Sequence, residues 1–182
     1  MLGIFKYTAG GLPEFPLNLT LPDSTATDML GRALGEAFPG AAAGALVVHF
    51  NGELGSGKTS CARALLHSLG VTGSVRSPTY TLLEIYALPG LTCVHADLYR
   101  LRSADEFADL GVSEYLEPGH LLVIEWSENG GRHVPPPDVR LALRYAGSGR
   151  AASLTGASAT GHDWLKVLAH DTRLIPYLSN LT

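Results

Sequence analysis

Cysteine is scarce in this chain of 182 residues, which contains only Cys61 and Cys93. The two stand singly, without the paired spacing that zinc sites and disulfide frameworks require. Cys61 falls in a predicted helix and Cys93 in a predicted strand, so we expect both to be small buried residues. The scarcity excludes disulfide-rich small domains and cysteine-ligated zinc modules.

A strong charge of either sign is also missing. Lys and Arg number 13 against 17 Asp and Glu, the formal net charge is -4 at pH 7, and no long basic run occurs. Proteins that hold nucleic acid unaided do so largely by neutralising its phosphates with Lys and Arg. Direct binding of RNA or DNA is therefore not predicted.

Long hydrophobic runs are absent as well, because nowhere do the roughly 18 apolar residues of a membrane-spanning helix follow one another. Residues 1–11 lack the basic start and the continuous apolar core of a signal peptide. These absences predict a cytoplasmic protein without a membrane segment. Hydrophobic residues still make up 46% of the chain, which predicts a single packed core.

A glycine-rich run at positions 52–59, here called the phosphate loop, carries the strongest chemical signal. Its sequence, GELGSGKT, fits the pattern G-x-x-x-x-G-K-[ST] and lies between a predicted strand at 46–50 and a predicted helix at 60–69. In that position the glycines let backbone N–H groups turn toward phosphates at the positive end of the helix. Lys58 would reach the β- and γ-phosphates, and Thr59 would offer its hydroxyl to the Mg²⁺ that accompanies the nucleotide.

Two acidic residues, Asp97 and Glu125, each follow an apolar run that predicts a buried strand. Ligands of open α/β sheets bind at the carboxyl ends of the strands, which is the edge that the phosphate loop leaves. Glu125 is therefore predicted to hold Mg²⁺ together with Thr59. For Asp97 a catalytic role and a structural one, capping the next helix or pairing with Arg100 or Arg102, both stay open.

The remaining pattern predicts one α/β domain. Strands are expected at 17–21, 46–50, 80–86, 91–96, 121–124, 139–145 and 150–155, and helices at 25–38, 60–69, 103–116 and around 164–168. A Pro89-Gly90 turn predicts a hairpin between two of the strands, and Pro22-Asp23-Ser24 predicts a turn and a helix cap before the first helix. The fold expected is a single-domain, P-loop NTPase-like three-layer sandwich with a mostly parallel central sheet plus antiparallel strands. It would occupy 17–173, between an N-terminal extension (1–16) and a C-terminal tail (174–182).

Four motifs, taken together and in this order, resemble the TsaE family, also called YjeE, of bacterial ATPases in tRNA threonylcarbamoyladenosine biosynthesis. They are the phosphate loop, Ser77-Pro78-Thr79-Tyr80-Thr81, Asp97-Leu98-Tyr99-Arg100-Leu101 and Glu125-Trp126. The resemblance spans most of the chain. It implies a slow ATPase that acts with the proteins TsaB and TsaD, which install threonylcarbamoyl on the adenosine beside the anticodon. ATP binding and hydrolysis would reset that complex between cycles, and the partners would supply the contacts with tRNA.

The resemblance also implies roles for individual residues. The catalytic group would be Lys58, Asp97, Glu125 and Thr79, with Thr79 as the threonine of a switch loop. Mg²⁺ would be held by Thr59 and Glu125. ATP would contact Ser24, Gly52, Gly55, Ser56, Gly57, Lys58, Thr59, Ser60, Trp126 and Gly149. A packing role for Trp126 and a plain turn at Thr79 remain alternatives.

Two other classes of function are compatible with a phosphate loop. A small-molecule or nucleoside kinase would need a lid, usually with arginine, to exclude water from the transferred phosphate. The stretch at 126–137 is instead rich in Gly and Pro and contains a single arginine, Arg132. The other class is a nucleotide-controlled binding module, in which hydrolysis is incidental. In such a module Asp97→Ala would abolish hydrolysis while modified tRNA is still formed over many turnovers, whereas in the ATPase it would abolish both.

Overall fold

The computed structural model describes residues 16–42 and 44–179. The strands in this part of the chain are β1 (Leu17–Leu21), β2 (Leu46–Gly52), β3 (Leu83–Leu88), β4 (Leu91–Asp97), β5 (His120–Glu125), β6 (Val139–Ala146) and β7 (Gly149–Gly156). The helices are α1 (Ser24–Glu36), α2 (Lys58–Ser68), α3 (Ala104–Asp109) and α4 (Ala159–Ala169). Short 3₁₀ segments lie at Val112–Tyr115, Ser127–His133 and Ile175–Tyr177.

All these strands form one seven-stranded sheet in the order β1-β7-β6-β2-β5-β4-β3. Its central strands β6, β2, β5 and β4 are parallel, whereas β7 and β1 at one edge and β3 at the other are antiparallel to their neighbours. The hairpin predicted around Pro89-Gly90 is present between β3 and β4. The predicted α/β class, with a parallel centre and added antiparallel strands, is confirmed.

Apolar side chains leave the central strands on both faces. In β5, Leu121 and Val123 join a large core shared with α1, α2 and α4. Leu122 and Ile124 of the same strand join a smaller core that contains Phe107 of α3. Successive strand residues point to opposite faces, so a continuous apolar strand requires cover on both sides. The predicted three-layer arrangement follows directly from this alternation.

The closest helix pairing joins α1 to α2. A side chain at Gly31 of α1 would clash with the carbonyl of Cys61 in α2, so glycine sets how near the two axes lie. The start of α1 is fixed by Asp23, whose side chain accepts the Ala26 N–H at 2.8 Å, as the sequence predicted for this cap. Cys61 and Cys93 are both fully buried, as expected, and burial raises the pKa of the Cys93 thiol to about 12.

Three predicted elements differ from the structure by more than two residues at one end or both. The strand expected at 80–86 begins only at Leu83, because the chain before it turns and Leu82 has a positive φ of 63°. The helix expected at 103–116 ends at Asp109, and a left-handed Gly111 separates it from a 3₁₀ turn. The helix expected around 164–168 is longer and starts after Ser158, whose side chain accepts the Gly161 N–H at 3.0 Å.

The C-terminal residues of the described chain pack against the edge strand β1. Leu174 is buried, Leu178 forms a bridge with Leu19, and the Ser179 N–H donates to the Asn18 carbonyl at 2.9 Å. The part of the predicted tail up to Ser179 therefore contacts the domain. The predicted extension lies, except for Pro16, outside the described residues, as do 180–182. None of the helices that the structure describes is long and apolar enough to cross a membrane.

Candidate functional site

The phosphate loop leaves β2 and enters α2 at the carboxyl end of the parallel strands, as predicted. Gly52 lies against the carbonyl of Leu143, where a side chain would clash. Gly57, immediately before α2, has a φ of 105°, which side-chain-bearing residues rarely adopt. The first and last glycines of the loop are therefore explained by a close backbone approach and by a left-handed turn.

The β6–β7 hairpin holds the outside of the phosphate loop. The Tyr145 hydroxyl donates to the Leu54 carbonyl at 2.9 Å. The Arg150 guanidinium donates to the carbonyls of Gly55 at 2.9 Å and Ser56 at 3.1 Å. The same guanidinium lies 4.2 Å from the centre of the Tyr145 ring. Three successive loop carbonyls are thus bonded by side chains that lie about 90 residues further along the chain.

Lys58, the first residue of α2, is buried with its ammonium group against its own loop. Its Nζ donates to the carbonyls of Gly52 at 2.7 Å and Glu53 at 2.8 Å. It also lies 3.8 Å from the centre of the Trp126 ring. Burial lowers the pKa of Lys58, and the negative field of Glu125 and other nearby carboxylates partly opposes that change. A buried cation bonded to neutral carbonyls is well suited to receive a phosphate anion.

Trp126 follows β5 in the left-handed backbone region, with φ 57° and ψ 40°. This conformation is uncommon for a bulky side chain. It places the indole ring between Lys58 and Tyr99, whose ring centre lies 5.0 Å away. Trp126 therefore lies beside Lys58 of the phosphate loop, whereas its predicted contact with a nucleotide stays a prediction.

Glu125 ends β5 and is almost completely buried. Its Oε2 accepts a hydrogen bond from the Thr59 hydroxyl at 2.8 Å, and its Oε1 lies 2.9 Å from Nε2 of His95. The two residues predicted to hold Mg²⁺ therefore meet. Mg²⁺ prefers oxygen ligands and is usually held by one or two carboxylates, water and substrate phosphates. Among the described residues no group of three or more His, Cys, Asp or Glu side chains could hold a metal ion. Binding of Mg²⁺ by Thr59 and Glu125 stays a prediction.

Asp97 ends β4 directly beside Glu125 in the sheet register and is also buried. Its Oδ2 accepts hydrogen bonds from the Ser77 hydroxyl and, at 3.1 Å, from the Thr79 hydroxyl. Its Oδ1 accepts the Tyr99 N–H at 2.9 Å. Asp97 thus anchors the loop that contains Thr79 to the carboxyl edge of the sheet. Asp97 does not pair with Arg100 or Arg102, as one structural role would have required. The bond from the Tyr99 N–H does stabilise the turn after β4.

A concave space of about 240 Å³ lies on the other side of the phosphate loop. Its walls are the start of α1, the loop glycines and the β6–β7 turn, and its lining includes the predicted contact residues Ser24, Ser60 and Gly149. The structure therefore brings these three residues, far apart in the sequence, to one cavity. The Ser56 side chain beside it is fully buried and has no hydrogen-bond partner among the described residues.

A larger cavity of about 480 Å³ lies on strands β1, β7 and β6 and reaches the phosphate loop only at Gly52 and Glu53. Its lining includes small residues such as Ala142, Ala151 and Ser153, and none of the predicted catalytic residues borders it. The smaller cavity also lacks the four predicted catalytic residues, but its lining contains more of the predicted nucleotide contacts, namely Ser24, Gly55, Ser56, Gly57, Ser60 and Gly149.

Sequence reasoning did not single out His95, Tyr145 or the Arg150 side chain. His95 could have been noticed, because it lies two positions before Asp97 on the same strand and therefore shares its face. Tyr145 and Arg150 carry no local signal of a role at the phosphate loop. Their contact depends on the hairpin of β6 and β7 being placed next to β2 in the sheet.

Comparisons with known proteins agree with the geometry. A family model described as "Threonylcarbamoyl adenosine biosynthesis protein TsaE" matches residues 21–152. The protein of Haemophilus influenzae with the description "tRNA threonylcarbamoyladenosine biosynthesis protein TsaE" is 35% identical over 126 residues, which cover 69% of this chain and 80% of that protein. A protein of Treponema pallidum with the same description is 38% identical over 103 residues, 57% of this chain and 76% of its own length.

The fold has a match among solved structures. The crystal structure of YdiB from Bacillus subtilis superimposes with a TM-score of 0.71 over 85% of this chain and 95% of that chain, at 22% sequence identity. This likeness shows the fold. The family model covers well over half of the chain and includes the phosphate loop, both buried acids and Trp126. The chain is therefore a member of the TsaE family.

Proposed function

We propose that this chain binds ATP with Mg²⁺, hydrolyses it, and serves as the ATPase subunit in the biosynthesis of threonylcarbamoyladenosine in tRNA. The observation that carries the proposal is the meeting of Lys58, Thr59, Glu125 and Asp97 at one edge of the sheet, around a loop of phosphate-binding sequence. Membership of the TsaE family supplies the pathway.

Different residues of the site would bind different parts of the nucleotide. The phosphate loop and the start of α2 would receive the phosphates, with Lys58 exchanging its bonds to loop carbonyls for bonds to phosphate oxygens. Thr59 and Glu125 would hold Mg²⁺, which when bound neutralises charge on the β- and γ-phosphates. The cavity lined by Ser24 and Gly149 would receive the nucleoside part.

Hydrolysis would depend on Asp97 and the loop that it anchors. The carboxylate already accepts bonds from the Ser77 and Thr79 hydroxyls and from the Tyr99 N–H. If a hydroxyl of this loop turns toward the γ-phosphate, an Asp97 oxygen is released to orient the attacking water. Loss of the γ-phosphate then returns the loop to the carboxylate, so the loop reports the state of the nucleotide.

The chain would act together with TsaB and TsaD, in line with the family resemblance, and would reset their complex between cycles. Contacts with tRNA would come from these partners. The formal net charge of -4 supports this division, because a chain with more acidic than basic residues has little to offer a phosphate backbone.

The test is threonylcarbamoyladenosine formation on purified tRNA, with the intermediate donor supplied, over many turnovers of a TsaB–TsaD complex. We expect the intact chain with ATP to sustain modification and Lys58→Ala to fail, because the phosphate anchor is lost. Lys166→Ala removes the same kind of side chain from α4, away from the phosphate loop, and serves as the matched control. If the intact chain makes no difference to the yield, its role in tRNA modification is wrong.

The kinase alternative has no specific observation in its favour. Arg132, the arginine that a lid would need, is exposed and its Nε donates to the adjacent His133 at 3.3 Å. A nucleotide-controlled binding module would use the same site. It differs from the ATPase in one measurable respect, because it would sustain tRNA modification without ATP hydrolysis.

A further inference from the structure

His95 is a fully buried polar residue of β4 whose side chain faces Glu125. Both residues are at most 1% exposed, and Nε2 of His95 lies 2.9 Å from Oε1 of Glu125. Because a carboxylate oxygen accepts hydrogen bonds, this contact assigns the ring proton of His95 to Nε2. The contact joins β4 to β5 beneath the phosphate loop.

The two carboxylate oxygens of Glu125 have separate partners. Oε1 receives the bond from His95, whereas Oε2 receives the bond from the Thr59 hydroxyl at 2.8 Å. The last torsion of a glutamate side chain is soft, so its carboxylate plane has no strong preference of its own. A ring fixed in a central strand supplies the missing constraint, since it holds Oε1 and thereby directs Oε2 to Thr59.

Packing alone is a poor explanation for a histidine at this place. Its second ring nitrogen, Nδ1, is buried and has no hydrogen-bond partner among the described residues. Leaving a buried polar atom unpaired disfavours folding, and an apolar side chain would fill the same space without that penalty. The ring is therefore explained by what Nε2 does.

We propose that His95 is a positioning residue for the metal site. It holds the Glu125 carboxylate in the orientation that sets Oε2 beside the Thr59 hydroxyl, so that both oxygens are ready for the Mg²⁺ of the incoming nucleotide. This inference rests on the proposed function, because it assigns a task to a residue behind the same site. It predicts that His95 affects magnesium-dependent binding and leaves metal-free nucleotide binding intact.

The experiment compares two amide variants of the full chain. His95→Gln places its amide nitrogen near the position of Nε2, whereas His95→Asn is shorter and places its amide near Nδ1. The affinity of each protein for a fluorescent ADP analogue is measured in Mg²⁺ and in EDTA, and Mn²⁺ binding to the ADP complex is followed by electron paramagnetic resonance. Circular dichroism checks that each variant is folded.

The wild-type chain is expected to bind ADP more tightly in Mg²⁺ than in EDTA. His95→Asn should weaken metal binding by about tenfold or more, in line with other residues that orient metal ligands, without changing affinity in EDTA. His95→Gln should recover most of the loss. An inert packing role would make the two variants alike, or would lower affinity equally in Mg²⁺ and EDTA, and either result overturns the inference.

The outcome also separates the inference from the proposed function. A wild-type chain that binds no nucleotide in either condition refutes both. A wild-type chain with magnesium-dependent binding, together with a His95→Asn variant that retains it in full, refutes only the role of His95. If the Asn variant fails to fold, His95→Leu takes its place, because leucine fills the space without a hydrogen-bond donor. The inference then requires the ratio of affinities in Mg²⁺ and EDTA to fall in His95→Leu and to stay near the wild-type value in His95→Gln, and an unchanged ratio in His95→Leu overturns it.

Discussion

The large apolar core and the carboxyl edge of the central strands are both buried but differ in the side chains that they contain. The core between the sheet and helices α1, α2 and α4 is composed of apolar side chains such as Leu30, Leu65 and Trp164. The carboxyl edge of the central strands is equally buried, yet it contains Lys58 and Glu125. Burying charged groups lowers stability unless they are well paired. We infer that the apolar core supplies most of the stability of the fold. The buried charged groups at the strand edge lower that stability and are explained by the chemistry of the site.

The largest effect on stability should come from the core. Leu30→Ala removes a fully buried side chain of α1 and should lower the free energy of unfolding by about 2–5 kcal/mol. Urea unfolding measures this loss. Nucleotide affinity of the folded fraction should stay unchanged, because Leu30 does not border the site. The exposed Val167 of α4 offers the matched control Val167→Ala, for which little change is expected.

The largest effect on turnover should come from the edge. Asp97→Ala should reduce ATP hydrolysis in the presence of the partners by about a hundredfold, as is typical when a pre-organised polar group is lost from an active site. Asp105→Ala removes an acid that is 84% exposed and provides the control. Phosphate release and tRNA modification are measured together. If modification continues over many turnovers without hydrolysis, the chain is a nucleotide-controlled binding module.

A buried histidine inside the sheet tests whether polar groups away from the strand edge also lower the stability of the fold. His49 of β2 is buried, its Nε2 donates to the Pro135 carbonyl at 2.9 Å, and burial lowers its pKa from 6.5 to about 4. The fold therefore favours neutral His49. Its contribution to stability is complete above pH 6.5 and is lost as the pH falls toward about 4, where the unfolded chain binds the extra proton.

Urea unfolding of the wild-type chain and His49→Gln between pH 7.5 and pH 4 measures this contribution. The difference in unfolding free energy between the two proteins should shrink as the pH falls. The reason is that only in the wild-type chain does the unfolded state bind a proton at residue 49 that the folded state does not bind. A difference that is constant over the whole range would contradict the assignment.

The smallest effect is expected at the hairpin that holds the phosphate loop. Tyr145→Phe deletes the hydroxyl that bonds the Leu54 carbonyl and keeps the ring beneath Arg150. One such bond contributes about 0.5–1.5 kcal/mol, so nucleotide affinity should fall by roughly twofold to tenfold. Titration with a fluorescent ADP analogue measures the change. Tyr115→Phe, whose ring packs on His120 away from the loop, is the control.

Features that depend on neighbours in the sequence were predicted well. The phosphate loop follows from glycine positions and a strand and helix on either side, and the cap of α1 at Asp23 follows from one side chain and the next turn. The strand start predicted at Tyr80 was wrong for a reason outside that segment. Ser77 and Thr79 bond to Asp97 on another strand, and the chain needs a turn through Leu82 before it can enter β3.

The sequence by itself determined the α/β class, the phosphate loop and the two acids at strand ends, because each depends on local periodicity or on a short spacing. The tertiary structure alone decided that Tyr145 and Arg150 bond the loop carbonyls, and that His95 bonds Glu125. These contacts require β6 and β4 to lie beside β2 and β5. Strand order is fixed by packing and crossover connections across the whole domain, and no local pattern in the chain encodes it.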